Sequence, residues 1–120
     1  MRTNLKATGI ELTPALTAYV SDKIGMLDKL LTNCGDVLAN VEIGKKTNHH
    51  KTGNWFFAEI NLNCPGKTLR NVTEEADLYA AIDKAKDSMA EEIRSYEKRK
   101  KSLIRRGARA IKEAFRRGSE

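Results

Sequence analysis

The feature that most constrains the fold is a change in the spacing of apolar residues along the chain. From Val37 to Ile43, and again from Trp55 to Asn63, apolar and polar side chains alternate, which is the two-residue period of a strand. From Pro14 to Leu31, and again after Asp77, apolar residues recur every three or four positions, as in an amphipathic helix. The chain must therefore combine a sheet with helices around one core.

Short local signals fix the order of these elements. Residues 1–8 alternate like a short strand, and Thr13-Pro14 supplies an N-cap followed by proline at the first helical position. Cys64-Pro65-Gly66-Lys67 is typical of a tight turn, after which residues 68–73 return as a strand. Asp77 then caps the second helix. The predicted order is β-α-β-β-β-α.

This order predicts an α+β fold, a two-layer sandwich in which two helices pack on one face of a four-stranded sheet. Strands two to four should form an antiparallel meander, and strand one should pair in parallel through a right-handed helical crossover. Trp55 and Phe57 fall on the far face, so either that face is partly covered or both rings are available for stacking. Cys34 and Cys64 form no CxxC motif, and we expect both to be small buried apolar residues in a reducing cytosol.

Charge is distributed unevenly over the 120 residues. The formal net charge of +6 divides into −1 for residues 1–83 and +7 for residues 84–120. Between Lys98 and Arg117 ten basic residues meet one acid, Glu113. Such asymmetry is typical of an arm that binds nucleic acid or a membrane surface. We therefore divide the chain into a folded domain, residues 1–100, and a basic tail, residues 101–120, which is either a helical extension or an arm that orders on its target.

Several segments, in the right order, are similar to one known family. The stretches that carry the resemblance are Gly9-Ile10-Glu11-Leu12-Thr13-Pro14-Ala15-Leu16, Tyr19-Val20-Ser21-Asp22-Lys23-Ile24, Leu27-Asp28-Lys29-Leu30, Pro65-Gly66-Lys67-Thr68-Leu69-Arg70 and Glu75-Ala76-Asp77-Leu78-Tyr79-Ala80-Ala81-Ile82-Asp83. They resemble the ribosome hibernation promoting factors, also called ribosome-associated inhibitors or sigma-54 modulation proteins. From the resemblance we expect the short form of this family.

The resemblance implies a fold like that of the double-stranded RNA-binding domain and a cytoplasmic role in the stress response. It implies binding to the small ribosomal subunit, on 16S-type rRNA, in the channel where messenger RNA and the A-site and P-site tRNAs lie. Occupancy of that channel blocks translation and preserves idle ribosomes. Long family members carry a separate C-terminal dimerisation domain, which we do not expect here.

Basic residues that match the family by position are candidate rRNA contacts, namely Lys23 and Lys29 on helix one, Arg70 on strand four, and Lys84, Lys86, Arg94 and Lys98 on helix two. The concentration of positive charge adds Arg99, Lys101, Arg105, Arg106 and Arg109 towards the tail as candidates. A further candidate group is the hairpin after strand two, where Lys45 and Lys46 should leave the sheet and His49, His50 and Lys51 follow. Ser88, Glu91 and Glu97 make helix two less basic than the family pattern, and we expect the tail to compensate.

No catalytic or metal-binding motif is evident. Adjacent His49 and His50 point in opposite directions on a strand, and there is no phosphate-binding glycine loop or nucleophile elbow. Asp83 is expected to be a solvated carboxylate. We therefore expect no enzyme activity, no metal, no cofactor and no small-molecule substrate.

A second function class remains open. Leu103, Ile104, Ile111 and Phe115 could line an amphipathic helix that binds an anionic membrane or a partner protein. Gly107 interrupts this stripe, and we expect arginine to be spread around most of the helix circumference, which disfavours a membrane. The chain also lacks the long apolar segment of a membrane-spanning helix and the apolar segment of a signal peptide, so we expect an unexported, soluble protein without membrane contact.

Overall fold

A computed structural model describes residues 1–32, 34–46 and 55–118, with side chains to residue 116. The elements are β1 (Arg2–Thr8), α1 (Pro14–Leu30), β2 (Leu38–Lys46), β3 (Trp55–Cys64), β4 (Lys67–Glu75) and α2 (Leu78–Gly118). The predicted order of elements is confirmed. The strands form one sheet in the order β1-β2-β3-β4, with both helices packed on one face.

Strand pairing follows the prediction, with one correction. β1 runs parallel to β2, while β2 with β3 and β3 with β4 are antiparallel. Lys45 and Lys46 do not leave the sheet, because they pair with Phe56 and Trp55 at the start of β3. The expectation that they belong to the connecting hairpin was wrong. His49, His50 and Lys51 lie outside the described residues.

Both helices begin where the capping residues indicate. The Thr13 hydroxyl accepts a hydrogen bond from the Leu16 amide at 3.2 Å, and Pro14 occupies the first turn. The Asp77 carboxylate accepts one from the Ala80 amide at 3.0 Å. These side chains satisfy backbone donors that have no partner inside the helix, so the sequence defines both helix starts.

The core lies between the helices and the inner face of the sheet. Its buried side chains include Ala39, Val41 and Ile43 of β2, Ala58, Ile60 and Leu62 of β3, Leu16, Val20, Ile24 and Leu27 of α1, and Ala81, Ile82, Ala85, Met89 and Ile93 of α2. Each large apolar side chain buried in this way contributes about 1.5–3 kcal/mol. This burial holds α1 and the first half of α2 against the sheet.

The outer face of the sheet is partly covered by one of its own aromatic rings. Phe57 is buried and lies opposite Gly44 in the β2–β3 register. A Cβ at Gly44 would come within 3.0 Å of the Phe57 ring and 2.1 Å of the Thr8 carbonyl oxygen. Only glycine fits there. Because the Phe57 ring is buried, it is not available for stacking on a base.

The two cysteines are buried, as predicted. Burial, and then the neighbouring Cys64 thiol and Glu97 carboxylate, raises the pKa of the Cys34 thiol well above its ordinary value. A thiol held protonated in this way is a poor nucleophile. Cys34 therefore acts as a core residue.

Helix α2 continues as one helix through the basic segment. Its 41 residues, at about 1.5 Å each, span about 60 Å, and the molecule is 72 Å long. Residues 101–118, here called the α2 extension, are helical. Among the described residues, no helix combines the length and apolar content needed to cross a membrane.

Candidate RNA-binding surface

One face of α2 carries a row of cations, here called the cationic stripe. Its members are Arg94, Lys98, Lys101, Arg105, Arg109, Lys112 and Arg116. They follow one another at steps of three or four residues, which places them on one face of an α-helix. From Arg94 to Arg116 the stripe is about 33 Å long at 1.5 Å per residue. Lys112 and Arg116, counted in the basic run but not predicted to contact RNA, extend it by the same spacing.

The stripe begins in a groove between the end of α1 and the middle of α2. The groove has a volume of about 600 Å³ and is lined by Leu30, Thr32, Ile93, Arg94, Glu97, Lys98, Lys101, Ser102 and Arg105. Four of these residues are cationic and one is acidic. An extended chain of phosphates could enter the groove and follow the stripe along the helix.

The stripe differs electrostatically from the cations of the folded domain. Across the described residues, no carboxylate lies within ion-pair distance of Arg94, Lys98, Lys101, Arg105 or Arg109. Their charges are therefore available to an external anion.

Several other predicted contacts are instead paired within the domain. Lys23 lies 3.1 Å from Asp83, Arg70 lies 2.9 Å from Glu59, and Lys84 lies 3.0 Å from Glu75. Lys46 is paired with Glu74, and Lys86 with Asp87. A carboxylate within this distance offsets most of the field that the cation presents to a phosphate.

The structure does not bring all the predicted residues to one surface. Arg94, Lys98, Lys101, Arg105 and Arg109 share the cationic stripe. Arg99 and Arg106 lie on a neighbouring part of the helix circumference, and Arg99 lines a groove with Arg70. Lys29 is exposed in the last turn of α1. Lys46, by contrast, lies on the outer sheet face, with its ammonium 6.0 Å from the centre of the Phe57 ring.

Lys23 belongs to a cluster that joins the two helices. The Tyr19 hydroxyl donates a hydrogen bond to Asp83 at 2.5 Å, and the Lys23 ammonium lies 5.0 Å from the Tyr19 ring centre. Tyr79 meets the Tyr19 ring edge to face at 4.8 Å. Asp83 keeps 46% of its side chain exposed, as expected of a solvated carboxylate, but it is also paired with residues of α1, about 60 residues earlier in the chain, which its sequence position did not suggest.

The cluster shifts the ionisation of two groups. The hydrogen bond to Asp83 raises the pKa of Tyr19 to about 12, and the same bond, aided by Lys23, lowers the pKa of Asp83 below its usual value. Both pKa shifts follow from a hydrogen bond that favours a protonated tyrosine beside an ionised aspartate. The sequence gives no local signal for this contact, because its two halves are far apart.

The expected spread of arginine around the α2 extension was wrong. At 100° per residue, all its arginines and lysines fall within one half of the helix circumference. The other half, here called the apolar arc, contains Leu103, Ile104, Gly107, Ala108, Ala110, Ile111, Ala114 and Phe115. Gly107 lies inside this arc and leaves the helix unbroken. The extension is a fully segregated amphipathic helix.

Metal chemistry finds no support among residues 1–32, 34–46 and 55–118. No group of three or more His, Cys, Asp or Glu side chains there is placed to hold a metal ion. The groove at the start of the cationic stripe is instead lined by four cations and a single carboxylate.

Comparison with known proteins identifies the family. Residues 3–101 match the model of the Sigma 54 modulation protein / S30EA ribosomal protein family. A ribosome hibernation promotion factor of Lactococcus lactis subsp. cremoris is 33% identical over 98 residues, covering 80% of this chain and 49% of that protein. One from Deinococcus radiodurans is 30% identical over 95 residues, covering 79% and 48%. The chain thus spans about half the length of these relatives.

A solved structure shows the same fold. The crystal structure of the Thermus thermophilus Protein Y N-terminal domain is 32% identical, with a TM-score of 0.67, and the match covers 80% of this chain and 99% of that one. The architecture predicted from the order of elements is therefore found in an experimental structure. On these matches, the chain belongs to the Sigma 54 modulation protein / S30EA ribosomal protein family.

Proposed function

We propose that this protein is a cytoplasmic ribosome hibernation factor that binds 16S-type rRNA of the small ribosomal subunit. The carrying observation is the cationic stripe, whose first five members have no carboxylate partner within the described residues. The hibernation promotion factors to which the chain is similar bear this function in their names.

The physical basis is neutralisation of phosphate charge. Each lysine or arginine that reaches a phosphate releases condensed counterions, which gives strong binding that weakens steeply with salt. Arginine can contact two phosphate oxygens at once. A helix face about 33 Å long, with a groove at one end, can follow several successive phosphates without reading base sequence.

In this proposal the protein occupies the channel used by messenger RNA and by the A-site and P-site tRNAs. It inhibits translation by excluding these ligands and preserves idle ribosomes. No catalytic step is needed, because the effect follows from occupancy alone. The paired cations Lys23, Arg70, Lys84 and Lys86 act mainly within the domain and contribute less to affinity than the stripe.

Co-sedimentation with purified small subunits tests the proposal. We expect a bound fraction at low salt that falls steeply as salt rises, and that falls further when messenger RNA and P-site tRNA are bound first. Failure to co-sediment at any salt concentration would reject ribosome binding. Undiminished binding in the presence of messenger RNA and tRNA would reject the channel as the binding site.

A further inference from the structure

The α2 extension has a second surface that RNA binding leaves unused. On the apolar arc, Leu103 is 65% exposed, Ile104 64%, Ile111 60% and Phe115 77%. Large apolar side chains scattered singly need no explanation, but a continuous exposed row along one face marks an interaction site. The row lies opposite the cationic stripe, so both surfaces can be occupied at once.

The apolar arc continues the stripe that packs α2 on the sheet. Leu78, Ile82, Met89, Ile93 and Tyr96 face the core at steps of three, four or seven residues, and the same period leads on to the arc. The arc therefore faces the side of α2 on which the sheet lies. Where the sheet ends, the helix overhangs a notch, with a depression of about 310 Å³ lined by Lys67, Tyr96, Arg99, Lys100 and Leu103.

This geometry disfavours a flat membrane as the occupant. A bilayer that touched the apolar arc along its length would run into the sheet layer, which projects on the same side of α2. An interfacial helix needs its apolar face to be the outermost surface of the protein. A narrower partner, such as a single helix about 10 Å across, can lie on the arc beside the sheet layer.

Charge disfavours a second copy of the chain. The α2 extension holds seven basic residues and one acidic residue, a net charge of +6. Lys101 and Lys112 border the apolar arc on one side and Arg106 on the other, so two such helices packed face to face would place like charges along both borders. The complementary partner has acidic borders.

The small residues of the arc indicate how closely a partner can approach. Gly107, Ala108, Ala110 and Ala114 lie between the large side chains, and a Cβ at Gly107 would meet no atom of this chain within 4 Å. Ridges of one helix fit into grooves of this kind on another. Ile104, Ile111 and Phe115 then serve as anchors at the spacing seen when a helix binds a protein groove.

We propose that the apolar arc packs against an amphipathic helix of a ribosomal protein whose apolar face is bordered by Asp or Glu. This rests on the proposed function, because the cationic stripe opposite is assigned to rRNA. The α2 extension would then lie between RNA on one side and protein on the other. The arc supplies affinity through apolar burial, and the stripe supplies it through phosphate contacts.

Site-specific photocrosslinking on purified ribosomes tests the two sides separately. p-Benzoylphenylalanine replaces Phe115 in one variant and Arg109 in a matched control on the opposite face. We expect the label at position 115 to form adducts with a ribosomal protein, at a helix with acidic borders, and the label at position 109 to form adducts with rRNA. Adducts of both labels with rRNA alone, or no adduct from position 115 while position 109 reacts, would overturn the inference.

Matched substitutions separate apolar from electrostatic binding. Ile104→Ala, Ile111→Ala and Phe115→Ala together should weaken ribosome binding at least about tenfold with an unchanged salt slope, because no charge is removed. Arg105→Gln, Arg109→Gln and Lys112→Gln together should reduce both affinity and slope. Unchanged ribosome affinity of the alanine variant would overturn only the inference about the apolar arc. Failure of the unaltered protein to bind ribosomes would reject the proposed function.

Two further measurements test whether a membrane or a second copy of the chain binds the apolar arc. The unaltered protein should not float with vesicles containing phosphatidylglycerol at physiological salt, and it should sediment as a monomer at micromolar concentration. Flotation that the triple alanine variant abolishes would assign the arc to lipid and overturn the inference. A dimer that the same variant dissociates would assign the arc to a second copy and would also overturn it.

Discussion

In the first half of α2 the apolar stripe is buried against the sheet, whereas in the α2 extension the same stripe faces solvent. Met89 and Ile93 are fully buried, but Ile111 and Phe115 are 60% and 77% exposed. The pairing of the cations differs as well, since most cations of the domain are paired with carboxylates, whereas Arg94, Lys98, Lys101, Arg105 and Arg109 of the stripe have no carboxylate partner within the described residues. One helix therefore serves stability at one end and, in our proposal, binding at the other.

Apolar periodicity therefore does not by itself mean burial. A stripe contributes to stability only where another element covers it. Past the end of the sheet, the same pattern becomes a surface that can recognise a partner. If stability and binding are divided in this way, substitutions in the two regions should have different effects.

The largest contrast is expected between two similar truncations of apolar side chains. Leu27→Ala removes a fully buried side chain and should lower the free energy of unfolding by about 2–5 kcal/mol. Ile111→Ala should change it by less than about 0.5 kcal/mol, because its side chain already contacts water. Denaturant unfolding of both variants measures the difference. Equal losses would show that the α2 extension is part of the cooperative core.

Removal of residues 101–120 should separate binding from stability. The domain should unfold at nearly the same denaturant concentration, while ribosome affinity falls more than about tenfold, or 1.4 kcal/mol. The salt slope should flatten by about 0.7 for each phosphate contact with single-stranded RNA that is lost. Co-sedimentation at several salt concentrations measures both quantities. An unchanged slope would mean that the extension does not touch phosphates.

Paired and unpaired cations should differ when neutralised. Lys101→Gln with Arg105→Gln should weaken ribosome binding severalfold and reduce the salt slope, because both charges are free to meet phosphate. Arg70→Gln with Lys84→Gln should have a smaller effect, since Glu59 and Glu75 already offset these charges. The two double variants carry the same net charge, which makes them matched controls. Equal losses of ribosome affinity in the two double variants would contradict the proposal that the cationic stripe contributes more to binding than the paired cations.

The Tyr19–Asp83 contact should make stability depend on pH at both extremes. Because the Asp83 pKa is lowered, its contribution is complete above the ordinary value of 3.8 and is lost as pH falls through the lower folded value. Because the Tyr19 pKa is raised to about 12, its contribution is complete below 10 and is lost as pH rises towards 12. Tyr19→Phe should therefore lower the thermal unfolding midpoint at neutral pH, with a difference that shrinks towards both limits.

Tyr79→Phe is the matched control for this contact, because it keeps the ring contact with Tyr19 and leaves the hydrogen bond to Asp83 intact. Its unfolding midpoint should follow that of the unaltered protein at every pH. A constant difference for Tyr19→Phe across the whole pH range would contradict the assigned ionisation.

The smallest effect is expected at Gly107. Gly107→Ala should stabilise the helix of the α2 extension by up to about 1 kcal/mol, because alanine loses less backbone entropy and its Cβ meets no atom of this chain. Amide exchange in the extension should slow by up to about fivefold, while global unfolding stays unchanged. Faster exchange would show that Gly107 has a conformational role that the helix does not reveal.

Features that depend on near neighbours were predictable from the amino-acid sequence. Alternation and helical periodicity predicted the order of elements, and Thr13 and Asp77 defined both helix starts. The concentration of charge after Lys98 and the family resemblance were also readable without a structure. The cationic stripe and the apolar arc follow from the same spacing at 100° per residue once residues 101–118 are known to be helical, whereas from the sequence arginine was expected around most of the circumference.

Which of these cations are already paired within the protein depends on tertiary packing. Lys23 and Arg70 matched the family by position, yet each is paired with a carboxylate on another element. Lys45 and Lys46 stay in the sheet, and Phe57 covers Gly44, because β3 is long enough to pair with them in this register. Register and long-range pairing depend on how distant segments pack, and no local pattern contains that information.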